Sequence, residues 1–374
     1  MRILIVQRSL SPPGGGNAVA AWMVQALADR HDVGTLTEGR WSVADTNAFY
    51  GTSIGEGAVT ARVMPLPWRL VSALPDDRLT RLRMCAVLRH ARRLASQYDL
   101  LITADNYAAF AKPGIQYVHF PARLQPGPAR FAAIVHPYFW LCDWILGANW
   151  MAAAGNVTLA NSRWTADGIE RLGEVSTPIV LYPPVIDPGG NLPWAERDDT
   201  FLCVGRFHGS KRIELAISIV RAVRAQSIPR ARLMIVGSPV DAASTARIRR
   251  MSAGDAWIEY REDLSRPELN ALMGRSRYGI QAMEKEHFGM ATAELARAGC
   301  LVFAHRSGGT SEVLNDEDAL LWSTEEDAVR RITEISGSSS VSTDALRARL
   351  RNHAQSFSTE SFVKRFRGIV DGIK

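Results

Sequence analysis

At 374 residues the chain is long for a single hydrophobic core and suits two domains. A composition of 47% hydrophobic and 22% charged residues is that of a globular protein and excludes disordered or fibrous classes. The balance of 44 basic against 38 acidic residues leaves a formal charge of +6. That excess suits an anionic substrate, an anionic membrane surface or plain solubility, and does not single out nucleic acid.

Arg2–Val6 is the first expected strand, and its apolar run, Ile3 to Val6, is too short for the core of a signal peptide. A loop follows, Ser9 to Asn17, with Gly14, Gly15 and Gly16 in succession, and then a helix from about Ala18 to Arg30. A glycine-rich loop between strand and helix is a shape that cradles phosphate, although Gly-x-Gly-x-x-Gly is not present. Residues 38–60 are turn-rich without a clean period. After Pro65-Leu66-Pro67-Trp68-Arg69 comes a helix from about Arg78 to Ser96. It sets Arg78, Arg81, Arg83, Arg89, Arg92 and Arg93 among leucines and valines. Such a helix suits either a solvated surface or docking on an anionic membrane beside an exposed Trp.

Asp99–Thr103 and Gly114–Phe120 are the next strands, the latter closing on His119 just before Pro121. Phe131 to Ala154 is strongly apolar, but His136, Pro137, Asp143 and Asn149 interrupt it, so a buried or interfacial helix is expected there and not a membrane span. Asn156–Ser162 is a strand ending in a helix cap. Pro183, Pro184, Pro188, Gly189, Gly190 and Pro193 form the one clear linker.

Beyond it βα alternation starts afresh. Strands are expected at 201–205, 232–237, 256–260, 278–283, 300–304 and 318–322, with helices at 211–225, 241–252 and 266–275 and two terminal helices near 342–356 and 359–373. This is the pattern of two Rossmann-like lobes. Cys85, Cys142, Cys203 and Cys300 are widely spaced with no metal-ligand pairing, as reduced core thiols of a cytosolic protein would be.

Within the second lobe, Glu286 and Glu294 stand eight residues apart, with Phe288-Gly289 just inside the first. Glu286 falls on a strand-to-helix loop and Glu294 about two turns into the helix, which Gly299 ends. That loop is at the carboxyl end of the strands, where open α/β sheets bind ligands. Val204-Gly205-Arg206 followed by Lys211 puts two cations after another strand, and Ser307-Gly308-Gly309-Thr310 follows a third.

Glu-x7-Glu with Phe-Gly after the first Glu resembles the signature of the retaining glycosyltransferases of family 4, which have the GT-B fold. The longer string from Glu286-His287-Phe288-Gly289 to Ala304-His305-Arg306-Ser307-Gly308-Gly309 is similar to that of the eukaryotic α-1,2-mannosyltransferases that extend the lipid-linked oligosaccharide. The resemblance implies two Rossmann-like domains facing each other across a cleft. Residues 1–185 would form the acceptor domain, with a last helix, 357–374, packing back on it, and 186–356 the nucleotide-sugar domain.

It further implies that Arg206 and Lys211 grip the donor diphosphate. The usual Gly after that Lys is Arg212 here, which leaves the start of the next helix to be defined by the structure. Phe288, Gly289, Met290, Ser307, Gly308 and Gly309 would line the diphosphate and sugar. Glu294 would hold the ribose, and Glu286 the hydroxyls of the transferred sugar. By the same resemblance Gly15 and Gly16 approach donor or acceptor, and His119 the donor sugar; a flexible turn and a satisfied structural histidine are the plain alternatives.

The expected activity is retaining transfer of a hexose from a nucleotide sugar, GDP-mannose ahead of UDP-hexoses, to a glycan or lipid-linked acceptor. Related expectations are a same-face substitution, no metal, and a cytoplasmic protein, peripheral on the inner face of the cell membrane if the arginine helix docks there. Asp76-Asp77 and Asp198-Asp199 are adjacent pairs and not an Asp-x-Asp metal motif. A nucleotide-sugar epimerase, a phosphorylase or a two-lobed sugar-binding protein are the competing classes. For guanine, Glu262, Asp263 or Glu268 near the base would be the selecting carboxylates.

Overall fold

Ile3, Leu4, Ile5 and Val6 are all fully buried, as an unalternating apolar run requires of a strand covered on both faces. They belong to β1 (Arg2–Val6) in the computed structural model, which describes residues 1–66, 69–70, 76–122, 124, 132–189, 192–240 and 242–373. Trp68, Gly190 and residues 71–75 and 125–131 lie outside the described residues. Two compact units are present: Met1–Pro184 with Thr359–Lys374, and Val185–Ser358.

The first unit is built on a parallel sheet of seven described strands in the order β3-β2-β1-β4-β5-β6-β7. After β1 these are Asp32–Thr37, Val59–Val63, Leu100–Thr103, Ile115–Val118, Val157–Ala160 and Ile179–Val180. Helices Gly15–Leu27 and Thr359–Asp371 cover one face, where Phe362, Phe366 and Val370 join Ile3, Ile5 and Val24 in one core. Helices Asp76–Leu94 and Ala132–Leu146 supply the other core, around Cys85, Leu88 and Cys142.

Three elements differ from the sequence expectations. Residues 38–60, read as turns, contain helix Val43–Tyr50, capped by Ser42, and the start of β3. Gly15 and Gly16 lie in the first turn of their helix, not in the loop before it. The apolar stretch 131–154 is one helix, Ala132–Leu146, followed by 3-10 turns at Trp150–Gly155.

The second unit carries six described parallel strands in the order β10-β9-β8-β11-β12-β13. They are Asp198–Val204 (β8), Arg232–Gly237 (β9), Ile258–Glu262 (β10), Ser276–Gln281 (β11), Leu301–His305 (β12) and Leu321–Trp322 (β13). Strands β8 and β11 are neighbours although two strands separate them in sequence, so the direction of winding reverses between them. Ligands bind at such a switch point, beyond the carboxyl ends of the strands. Helix Glu325–Ser336, unforeseen from the sequence, is capped by Thr324 and buries Ala328, Val329, Ile332 and Ile335.

Candidate active site

At the reversal between β8 and β11, the loop after β8 places Arg206 and Lys211, and the loop after β11 places Glu286. Lys211 Nζ donates to Glu286 Oε2, and both side chains are only partly exposed (22% and 16%). Arg206 is exposed and forms no ion pair with a described residue. Arg212 takes the left-handed conformation (φ 49°) that a glycine would adopt freely, and it caps helix Ile213–Gln226. Its guanidinium pairs with Glu284, tying the β8 loop to the β11 loop a second time.

The loop after β12 packs beneath Glu286. Gly309 N–H donates to Glu286 O (2.7 Å), and the Lys285 N–H donates to Ser307 Oγ (2.8 Å). A Cβ on Gly308, whose φ is 102°, would stand 2.3 Å from Glu286 O and 2.6 Å from its N, and one on Gly309 would stand 2.3 Å from His287 O. These glycines therefore let two backbones touch, and the Gly309 amide is already used.

Phe288 is buried against Phe357, with ring centroids 5.4 Å apart, so its side chain is core and not lining. Gly289 (φ 98°) sits at the N-cap of helix Met290–Arg297, and Met290 is half-buried at its first position. Burial lowers the His287 pKa and outweighs the opposing effect of Glu286.

Glu294 is the fifth residue of that helix, little more than one turn in, where two turns were expected. It is nearly buried and forms an ion pair with Arg266 (2.9 Å), a residue the sequence did not single out. Of the three carboxylates considered for base selection, Glu268 closes a capping box with Ser265. Glu262 is held by Tyr260 and Arg249, which lower its pKa in that order. Asp263 (φ 47°) accepts from Ser238 Oγ at 2.6 Å, joining the ends of β9 and β10.

In the first unit, His119 immediately follows β5. Its N–H donates to Asn106 Oδ1 (2.9 Å) and its carbonyl accepts from Asn161 Nδ2 (3.0 Å). The ring Nε2 lies 2.7 Å from Ala104 O, an acceptor only, so Nε2 carries a proton. A Cβ on Gly16 would meet that same Nε2 at 3.2 Å, so the glycine-rich turn and His119 are neighbours. Gly15 is exposed beside them. Arg8 and Asp105 form a further pair (2.6 Å) on the loops after β1 and β4.

The arginine helix is spent largely on its own unit. The Arg81 guanidinium lies between the Phe139 and Trp150 rings, and Arg83 pairs with Glu38 (2.6 Å). Arg89 donates to Ile145 O and Arg92 to Phe110 O, both at 2.8 Å. Arg93 is exposed, and the Arg78 side chain lies outside the described residues. Trp140 and Trp144, one turn apart, are 67% and 64% exposed. Among the described residues no helix is long and apolar enough to cross a membrane. None of them gather into a group of three or more His, Cys, Asp or Glu that could hold a metal ion.

The two parallel sheets, with ligand-type loops at their switch points, are those of the GT-B fold. The structure is similar to that of Anabaena Alr3699/HepE in complex with UDP and glucose (TM-score 0.70, 14% identity, 100% of both chains). It is equally similar to WaaG, a glycosyltransferase involved in lipopolysaccharide biosynthesis (TM-score 0.70, 13% identity, 100% of both chains). Residues 190–357, which lie in the second unit, match the family described as glycosyl transferases group 1.

Among curated relatives, the chain is similar to the Homo sapiens GDP-Man:Man(3)GlcNAc(2)-PP-Dol alpha-1,2-mannosyltransferase, at 25% identity over 63% of this chain and 51% of that protein. The Dictyostelium discoideum protein of the same name is 26% identical over 48% of this chain and 40% of its own. The chain thus spans about half the length of the relatives it matches.

Proposed function

We propose that this protein is a retaining glycosyltransferase that moves a hexose, mannose first, from GDP-mannose to a glycan or lipid-linked acceptor. The observation that carries this assignment is the Lys211–Glu286 pair at the β8/β11 reversal, with exposed Arg206 beside it in sequence. A departing nucleoside diphosphate needs fixed positive charge. Arg206 supplies a fork that grips two oxygens and Lys211 a point charge, neither of which must reorganise far.

In this mechanism the acceptor hydroxyl attacks the anomeric carbon on the face the diphosphate leaves. The bond from that carbon to the phosphate oxygen breaks as the new glycosidic bond forms, and the hydroxyl proton passes to the departing phosphate oxygen. Glu286, released from Lys211 as the diphosphate arrives, takes hydroxyls of the sugar and stabilises positive charge at the carbon. Glu294 takes the ribose. Gly289 and Met290, at the start of their helix, bring its positive end to the diphosphate, with Ser307, Gly308 and Gly309 supporting the loop from below. His119, with Gly15 and Gly16 beside it, is assigned a contact with the sugar.

GDP-mannose is taken from the names of the relatives, which specify GDP-Man. A UDP-sugar donor is the second assignment, because the similar Anabaena protein is described with UDP and glucose. Peripheral contact with an anionic membrane from the cytoplasmic side is part of the proposal, carried by Trp140 and Trp144 and not by the arginine helix. The test is incubation with labelled nucleotide sugars in excess EDTA, alone and with polyprenyl-linked saccharides. Slow donor hydrolysis and faster transfer with anomeric configuration kept are expected. Inverted product, or transfer abolished by EDTA and restored by Mn²⁺, would reject the mechanism.

A further inference from the structure

Arg266 stands at the first position of helix Arg266–Arg275, immediately after the Ser265 cap. A cation there opposes the helix dipole, which favours negative charge in the first turn. The side chain is nevertheless drawn in to 14% exposure, and its Nε and Nη2 are enclosed without a hydrogen-bond partner. Enclosing unpartnered guanidinium donors is costly, and a methionine would fill similar space without that cost. The compensating contact is the 2.9 Å ion pair from Nη1 to Glu294 Oε1, a carboxylate that is itself only 12% exposed. Glu294 Oε2 pairs with no described residue and is not among the enclosed unpartnered atoms. One carboxylate oxygen is therefore fixed by Arg266 and the other left as an acceptor.

We infer that Arg266 is the positioning residue of a ribose subsite: it holds Glu294 so that the remaining oxygen accepts from a ribose hydroxyl of the nucleotide. This rests on the proposed role of Glu294 in donor binding. With Nε and Nη2 walled in, the guanidinium does not turn to the ligand, so its action passes through Glu294. A sequence signal existed in retrospect: an arginine opening a helix where an acidic or neutral residue is the usual choice.

Calorimetric titration of GDP, UDP and their 2′-deoxy counterparts into the full chain tests this, using Arg266→Met, Arg266→Lys and Glu294→Gln. The unchanged protein should bind the ribonucleotide about tenfold more tightly than the deoxynucleotide, as loss of one hydrogen bond to a charged group implies. Arg266→Met should reduce that ratio to about twofold or less, as Glu294→Gln does, while Arg266→Lys keeps most of it. If Arg266→Met fails to fold, Arg266→Gln takes its place and should reduce the ratio in the same way, with Arg266→Lys still the variant that keeps it. A ratio unchanged in the charge-free variants but lost in Glu294→Gln would make Arg266 a packing residue and overturn the inference. Equal binding of ribo and deoxy forms by the unchanged protein would remove Glu294 from the ribose. Binding of neither nucleotide would overturn the donor-site proposal itself.

Discussion

Lys211 and Glu286 neutralise each other, so in the proposed mechanism a diphosphate competes for a lysine already in place instead of recruiting one from solvent. Both side chains are partly exposed, and their removal should leave the fold intact. Lys211→Ala and Glu286→Ala are each expected to lower transfer at least a hundredfold, on the order of 3 kcal/mol of transition-state stabilisation, with thermal unfolding little changed. Near-normal turnover in either variant, measured with labelled donor, would take that residue out of the mechanism. The identity of these two side chains was legible from residue type and from their places after strands. What was not legible was which glycines meet which neighbours. Gly308 and Gly309 look the same in sequence whether they present amides to a ligand or allow contact with Glu286 and His287, and only the contact distances distinguish the two. Phe288 likewise gave no sign that Phe357, far along the chain, would cover it. Arg266 is not legible in the sequence because its significance lies in a distant partner, Glu294, on another helix.

Elements with a buried face announced themselves through apolar periodicity, and those at the margins did not. Strand β3, Val59-Thr60-Ala61-Arg62-Val63, is largely exposed at the edge of its sheet and has no apolar run to read. Helix Val43–Tyr50 buries only Thr46 and Tyr50. Helix Glu325–Ser336 does carry a stripe at Ala328, Val329, Ile332 and Ile335, but charged residues surround it and its Thr324-Glu-Glu-Asp start was the cue overlooked. The start of helix Ile213–Gln226 offers a direct test. Arg212 there occupies a left-handed conformation costing about 1 kcal/mol, whereas its exposed pair with Glu284 contributes about 0.5 kcal/mol. Arg212→Gly should therefore leave the melting temperature unchanged or raise it by a few degrees; a fall would show the ion pair outweighing the strain. The helix Ala132–Leu146 bears on the membrane in a similar way. Four arginines of its neighbour are turned inward, whereas Trp140 and Trp144 offer aromatic rings suited to the headgroup layer. Replacing both with Ser should abolish flotation with anionic vesicles, while Arg93→Ala weakens it less. Unaltered flotation of the double variant would dismiss the tryptophans as a membrane contact.

At the scale of the whole chain, the same device occurs twice: a parallel sheet whose winding reverses, with polar side chains on the loops at the reversal. In the first unit those loops carry Arg8, Asp105 and His119, and in the second Arg206, Lys211 and Glu286. The alternation of strands and helices made this architecture legible, because fully buried parallel strands must be apolar throughout. Acceptor recognition was not, since the loops of the first unit follow no periodic rule and several lie outside the described residues. Donor choice is the point at which sequence resemblance and structural likeness diverge. The similar mannosyltransferases are named for GDP-Man, and the similar Anabaena structure for UDP and glucose. If the base sits beside the carboxylates proposed to select it, their surroundings narrow the matter. Glu268 is occupied by its capping box and Glu262 by Tyr260 and Arg249, which leaves Asp263, steadied by Ser238, as the acceptor suited to the N1 and N2 donors of guanine. Uracil offers one donor, N3–H, to the same carboxylate. The protein should therefore bind GDP about tenfold more tightly than UDP, and Asp263→Asn should bring the two within about threefold, since a bond to a charged acceptor is replaced by one to a neutral amide. Calorimetry on both proteins decides the matter. Tighter UDP binding by the unchanged chain would end the assignment of GDP-mannose and leave the glycosyltransferase proposal standing.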